Sequence, residues 1–257
     1  DRTHAVIHLY ISPDENPAEA VSFLRERFDA AGISYTVQTD LVDEEDWATA
    51  WKKYYFPTKI GERLVICPSW ESYAPAPGET VLTMDPGMAF GTGTHETTRL
   101  CIQLLEEAVT PGMDLLDIGT GSGILGITAL KLGAKEVWGT DLDENAINAV
   151  RENLEANSIP EDRFHVLQGN IIDDVSVKEW AGYGKYDVAV ANILADVIIL
   201  LVDEIPAHLK KGGIFITSGI IDMKEEAVKE AFGRCPELEV VEITYQGEWV
   251  SVTARRK

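Results

Sequence analysis

Basic residues are scarce in this chain: 22 lysines and arginines stand against 43 aspartates and glutamates over 257 residues, a formal net charge of −21. A surface of that sign repels phosphate, so sequence-specific nucleic-acid binding is not expected, while a basic partner is attracted at long range. Apolar runs long enough to span a bilayer are lacking, as is a signal-like start. No membrane association is therefore expected, and the protein is expected to be cytoplasmic. Cysteine is sparse too. Cys67, Cys101 and Cys235 lie far apart, with no C-x-x-C or histidine-linked spacing, which leaves packing thiols rather than a disulfide framework or a metal site. No serine or cysteine stands beside a histidine in a way that suggests a covalent nucleophile.

What remains is a chain that is 45% apolar and 25% charged, enough for one large α/β domain and a smaller one. The stretch LLDIGTGSGILG at 115–126 organises the rest. A short apolar run, an acid and alternating glycines predict a buried strand that breaks into a tight loop, and 124–132 then has helical periodicity. Glycines there allow positive φ and close approach of a ligand, and the helix start presents N–H groups. Gly121, Gly123 and Gly126 satisfy the dinucleotide spacing G-x-G-x-x-G. Asp117 with Gly119, Gly121 and Gly123 equally satisfies the D-x-G-x-G-x-G pattern of S-adenosylmethionine binding. An acid at the strand end favours the second, since it can face an ammonium but sits poorly beside a pyrophosphate.

Ahead of this motif, 5–11 alternates as a strand, 16–31 carries helical apolar positions ended by Gly32, and 35–42 resumes a strand pattern. His4 and His8 on the first strand read as surface residues. A lone β-α-β leaves sheet edges bare and the chain opens on Asp1, so further strands are expected before it. Asp43 to Asp46 starts a helix with an aromatic stripe of Trp47, Trp51 and Tyr54 beside Ala50. A strand follows at 64–67 and a linker at 73–78. These divide the chain into a partial α/β recognition domain at 1–42, a helix and linker at 43–80, and a catalytic domain at 81–257.

The segment MDPGMAFGTGTHETT at 84–98 suits neither strand nor helix interior and reads as a functional loop, with Thr94 or Thr97 able to cap the helix over 97–108. Beyond the glycine turn, strands over 136–140, 164–168, 186–192 and 213–218 alternate with helices over 144–157, 195–208 and 222–232. Strands over 240–244 and 249–254 close the pattern as a hairpin. Asp141 ends the second strand 20 residues beyond Gly121, where a carboxylate can accept both ribose hydroxyls of either ligand. The hairpin separates the two readings, because a dehydrogenase would build a second parallel half.

AFGTGTH in the loop, LLDIGTGSGILGI, GTDLD at 139–143 and ANILA at 191–195 resemble the corresponding segments of the ribosomal protein L11 methyltransferase family, PrmA, with similarity over 43–257. The resemblance implies a seven-stranded Rossmann-like sheet of the class I S-adenosylmethionine-dependent methyltransferases with an antiparallel last strand. It also implies methyl transfer to lysine, and to the amino-terminal amine, of a large-subunit ribosomal protein docked by an amino-terminal domain, by an enzyme expected to be monomeric. For the cofactor the expected residues are Gly119 and Gly121 as backbone cradle, Asp117 for the ammonium, Asp141 for the ribose, Leu142 on an adenine face, and Asn170 with Ile171 at the base edge. Phe90 supplies an aromatic wall and Thr98 a hydroxyl for the methionine carboxylate. Asn192 is the expected amine acceptor in catalysis, and His95 either shapes the loop or relays a proton. A nicotinamide-dependent oxidoreductase and a non-catalytic ribosome-assembly module are the alternatives. A nucleic-acid methyltransferase fits less well, since NILA lacks the prolines and aromatic that stack a flipped base.

Overall fold

The computed structural model describes residues 17–38, 55–85, 93 and 95–257, and the chain divides into two compact units, 1–53 and 54–257. In the first, helix α1 (Pro17–Ala30) opens on proline, whose fixed φ suits a first helical position. It gives way to a turn in which Gly32 takes φ +67, a conformation open to glycine at little cost. Residues 33–38 carry no regular secondary structure, although alternation over 35–42 predicts a strand. The strand expected at 5–11, the helix expected from Asp43, residues 39–42 and most of the 84–98 loop, Phe90 included, lie outside the described residues.

The second unit starts with a small sheet in the order β1 (Thr58–Ile60), β2 (Leu64–Pro68), β3 (Thr80–Met84), β1 antiparallel and β3 parallel to β2. Part of the stretch expected to link two domains thus belongs to the larger unit. Helix α2 (Glu96–Ala108) leads into the main alternation: β4 (Asp114–Ile118), α3 (Ile124–Lys131), β5 (Glu136–Asp141), α4 (Glu144–Ala156), β6 (Phe164–Gln168), α5 (Val175–Ala181), β7 (Tyr186–Asn192), α6 (Ala195–His208), β8 (Leu209–Ile221), α7 (Glu225–Arg234), β9 (Leu238–Gln246) and β10 (Trp249–Arg256).

These seven strands form one sheet in the order β6-β5-β4-β7-β8-β10-β9. The first five are parallel, and β10 runs antiparallel between β8 and β9. This is the seven-stranded sheet with a reversed last strand that the family resemblance implies. The central residues of β4 and β7 are buried on both faces, as parallel strands covered by helices must be. Alternate residues feed opposite layers: Leu116, Ala189, Ala191 and Phe215 pack against α5, α6 and α7. Leu115, Val188, Val190 and Ile216 pack against α2, α3, α4 and the small sheet. The strand order reverses direction at β4, with β5 on one side and β7 on the other. Open α/β sheets bind ligands in the crevice at such a switch point, outside the carboxyl ends of the strands.

Candidate active site

At the carboxyl end of β4 the chain must turn sharply to start α3, and three positive-φ glycines make the turn: Gly119 at +70, Gly121 at +52 and Gly123 at +80. The Gly119 N–H donates to the Thr140 carbonyl at 2.8 Å, and the Gly121 N–H to Asp141 Oδ2 at 2.8 Å. These two amides are engaged by the chain, so what the glycines offer a ligand is close approach rather than idle donors.

Asp117 is fully buried, and its Oδ2 accepts from the Thr120 hydroxyl at 2.8 Å and the Gly126 N–H at 3.0 Å, bracing the turn from beneath. Its Oδ1 is buried with no hydrogen-bond partner among the described residues. Burial pushes the Asp117 pKa up to about 7 against the two hydrogen bonds, and the nearby Asp141 charge adds to the rise.

Asp141 Oδ1 accepts from the Asp143 N–H at 2.9 Å. With one bond on each oxygen, the carboxylate keeps further lone pairs for hydroxyl donors. Leu142, directly beyond it, is an exposed apolar side chain, 70% accessible. At the end of β6, Asn170 uses Oδ1 on the Ile172 N–H and Nδ2 on Asp173, both at 2.9 Å. Ile171 is buried in the core, so what it offers a base edge is backbone rather than side chain.

Asn192 closes β7. Its Nδ2 donates to Thr98 Oγ1 at 3.3 Å, and its Oδ1 makes no hydrogen bond among the described residues. Thr98 is fully buried on α2 and holds the asparagine amide, a link across 94 residues of sequence. His95 is the N-cap of α2, the position predicted for Thr94 or Thr97. Its Nδ1 accepts from the Thr97 N–H at 3.3 Å and its ring meets Trp249 edge-on at 5.0 Å. A ring anchored by both contacts shapes the chain at the start of the helix.

Two contacts set the switch point itself. A Cβ on Gly119 would lie 2.4 Å from Ile193 Cγ2, which places the turn after β7 against the glycine turn. Gly219, inside β8 at φ +85, would carry a Cβ 2.4 Å from the Ile193 carbonyl oxygen. Only glycine lets that backbone through, and no sequence pattern had singled it out. Beyond Ile193, Leu194 is 74% exposed at the mouth of the crevice.

The described residues thus bring Thr98, Asp117, Gly119, Gly121, Asp141 and Asn192 to one end of the sheet. They include no cluster of histidine, cysteine and carboxylates able to hold a metal, and no helix long and apolar enough to cross a membrane. All three cysteines are free and buried.

Comparison with known proteins agrees with this arrangement. A ribosomal protein L11 methyltransferase from Lachnospira eligens is 46% identical over 263 residues, covering 100% of this chain and 82% of the relative. The crystal structure of ribosomal protein L11 methylase from Lactobacillus delbrueckii subsp. bulgaricus superposes with a TM-score of 0.71 at 32% identity, covering 79% of this chain and 100% of that one. A candidate SAM-dependent methyltransferase from Streptococcus mutans shares the fold alone, with a TM-score of 0.54 at 12% identity over 63% of this chain and 50% of that one. With residues 2–257 matching the family described as Ribosomal protein L11 methyltransferase (PrmA), the chain belongs to that family.

Proposed function

We propose that this chain transfers methyl groups from S-adenosylmethionine to lysine side chains, and to the amino-terminal amine, of ribosomal protein L11. The observation that carries the reading is the junction at the switch point: the glycine turn with Asp141 on one side, and Asn192 held by Thr98 on the other. The residues fit the cofactor. Positive-φ glycines admit close approach, Asp141 retains lone pairs for a ribose diol, and the buried Asp117 Oδ1 is an acceptor without a donor among the described residues, suited to a cation. Leu142 offers an apolar surface to the adenine.

When bound, S-adenosylmethionine supplies a methyl carbon already activated by a sulfonium. The chain has only to hold a neutral amine about 3 Å behind that carbon and exclude water. A lysine ammonium, with a reference pKa near 10.4, must first lose a proton. That proton passes to solvent before the amine is enclosed, and Asn192 suits the neutral amine that results, because its amide oxygen can orient it without the full negative charge that would stabilise the ammonium form. Thr98 acts through Asn192, and His95 shapes the start of α2. We place Phe90 as an aromatic wall and Asn170 with Ile171 at the base edge.

Residues 1–42 are proposed to recognise the protein substrate, and the enzyme to work as a cytoplasmic monomer. The excess of 43 acids over 22 bases supports a basic protein rather than nucleic acid as partner. The test is incubation with labelled S-adenosylmethionine and unmethylated L11, followed by mass spectrometry. Label on L11 amino groups is the expected result. Cofactor binding without transfer would favour an assembly module, and binding of reduced nicotinamide nucleotide instead would favour an oxidoreductase.

A further inference from the structure

Helix α4 buries a stripe in which two members are polar. Ala146, Val150, Asn153, Leu154 and Asn157 recur at helical spacing along one side and are all buried. A buried amide is tolerated only where protein hydrogen bonds replace the water it has lost. Asn153 meets that condition across three elements. Its Nδ2 donates to the Ser122 carbonyl in the glycine turn at 3.0 Å, and its Oδ1 accepts from the Asp85 N–H just beyond β3 at 2.9 Å. Asn157, one helical turn on, has a different set of partners. Its Oδ1 accepts from the Thr83 N–H at 2.9 Å, and its Nδ2 donates to the carbonyls of Thr83 and Asn153. Asn157 therefore secures the small sheet and leaves the glycine turn alone.

Ser122 lies between Gly121 and Gly123, both at positive φ. A peptide flanked by glycines has little conformational preference of its own, so its plane must be set from outside. Val150 packs below it, where a Cβ on Gly123 would come within 3.0 Å of Val150 Cγ2.

We infer that Asn153 is a positioning residue for the methyl-donor site: by holding the Ser122 carbonyl it orients the glycine turn, and through Asp85 it ties that turn to the small sheet. The inference rests on the glycine turn being the S-adenosylmethionine site. It is tested by calorimetric titration of S-adenosylmethionine into the full chain and into Asn153→Ala, Asn153→Asp and Asn157→Ala. The aspartate variant keeps an acceptor for Asp85 and loses the amide donor to Ser122.

Both Asn153 variants are expected to bind the cofactor about tenfold more weakly, while Asn157→Ala stays within about twofold of the unmodified chain despite a comparable fall in Tm. Unchanged affinity in the Asn153 variants overturns the inference. So does a loss that follows Tm equally in all three, which is what a purely structural role produces. An unmodified chain that binds no cofactor overturns the reading of the site together with the inference. Where the Asn153 variants do not fold, the unmodified chain labelled with nitrogen-15 asparagine supplies the readout. Cofactor must shift the side-chain amide signals of Asn153 and spare those of Asn157, and an unmoved Asn153 signal rejects the positioning role.

Discussion

On the β4–β5 side of the crevice the chain's own donors brace the turn and its carboxylates: Thr120 and Gly126 on Asp117, Gly121 and Asp143 on Asp141, Asn153 on Ser122. On the β7 side a single side-chain bond among the described residues, Asn192 to Thr98, secures the residue proposed to meet the substrate, and Leu194 beyond it is exposed. The contrast follows from what each side has to receive. A small cofactor gains from a turn held rigid before it arrives, since ordering is then already complete. A protein amine comes from outside and needs an open approach with one oriented acceptor.

Substitutions that separate the two sides test this division. The greatest loss is expected at Asn192. Asn192→Ala should lower turnover by about 10²-fold, the scale of removing one positioned polar group, with S-adenosylmethionine affinity within about twofold. Methyl-transfer kinetics beside calorimetry check it, and equal falls in rate and affinity would move Asn192 to the cofactor side. Next, Asp141→Ala should weaken cofactor binding by about 1–3 kcal/mol, because both the proposed ribose acceptor and the partner of the Gly121 N–H disappear. Unchanged affinity would end the ribose assignment.

A smaller effect is expected at Thr98. Thr98→Val keeps the shape and removes the acceptor of the Asn192 amide, so turnover should drop about three- to tenfold, with Thr98→Ser close to the unmodified enzyme. Weaker cofactor binding in the valine variant would instead support a direct contact with the methionine carboxylate. The mildest consequence concerns pH. Asp117 has an unfolded reference near 3.8 and a folded value of about 7, so between these the folded protein retains a proton that the unfolded chain has released. Its contribution to stability is complete below the lower value and is lost as pH rises through the upper one. Asp117→Asn, which keeps an acceptor for Thr120 and Gly126, should flatten that part of the decline of Tm across this interval. Parallel Tm curves for the two proteins would show that Asp117 does not titrate there.

Much of the larger sheet was legible because apolar runs bounded by turn residues mark its elements: 164–168, 186–192 and 195–208 match the observed β6, β7 and α6. Strand β1, with 3 residues, and helix α5, with 7, are too short for their own periodicity to emerge, and β3 is secured by its pairing with β2 rather than by a local pattern. Strand β8 extends beyond the predicted 213–218 because Lys210-Lys211-Gly212-Gly213 reads as a turn, yet the sheet carries it as strand. In the site, the glycine turn and Asp141 announce themselves locally, whereas Thr98 under Asn192 and Gly219 under Ile193 are matters of tertiary contact. Asn153 and Asn157 did leave a trace, two amides at core positions of an amphipathic helix, whose meaning depended on knowing what the helix covers.

The insertion of β10 between β8 and β9 constrains how the molecule is assembled. Strand β9 pairs with β10 alone, and β8 meets β10 rather than β9. During vectorial synthesis β9 therefore emerges before its one strand neighbour among the described residues, and the flank of β8 stays open until residues 249–256 arrive. A chain lacking this one segment would strand β9 and leave the flank of β8 uncovered, an open sheet edge and an aggregation hazard.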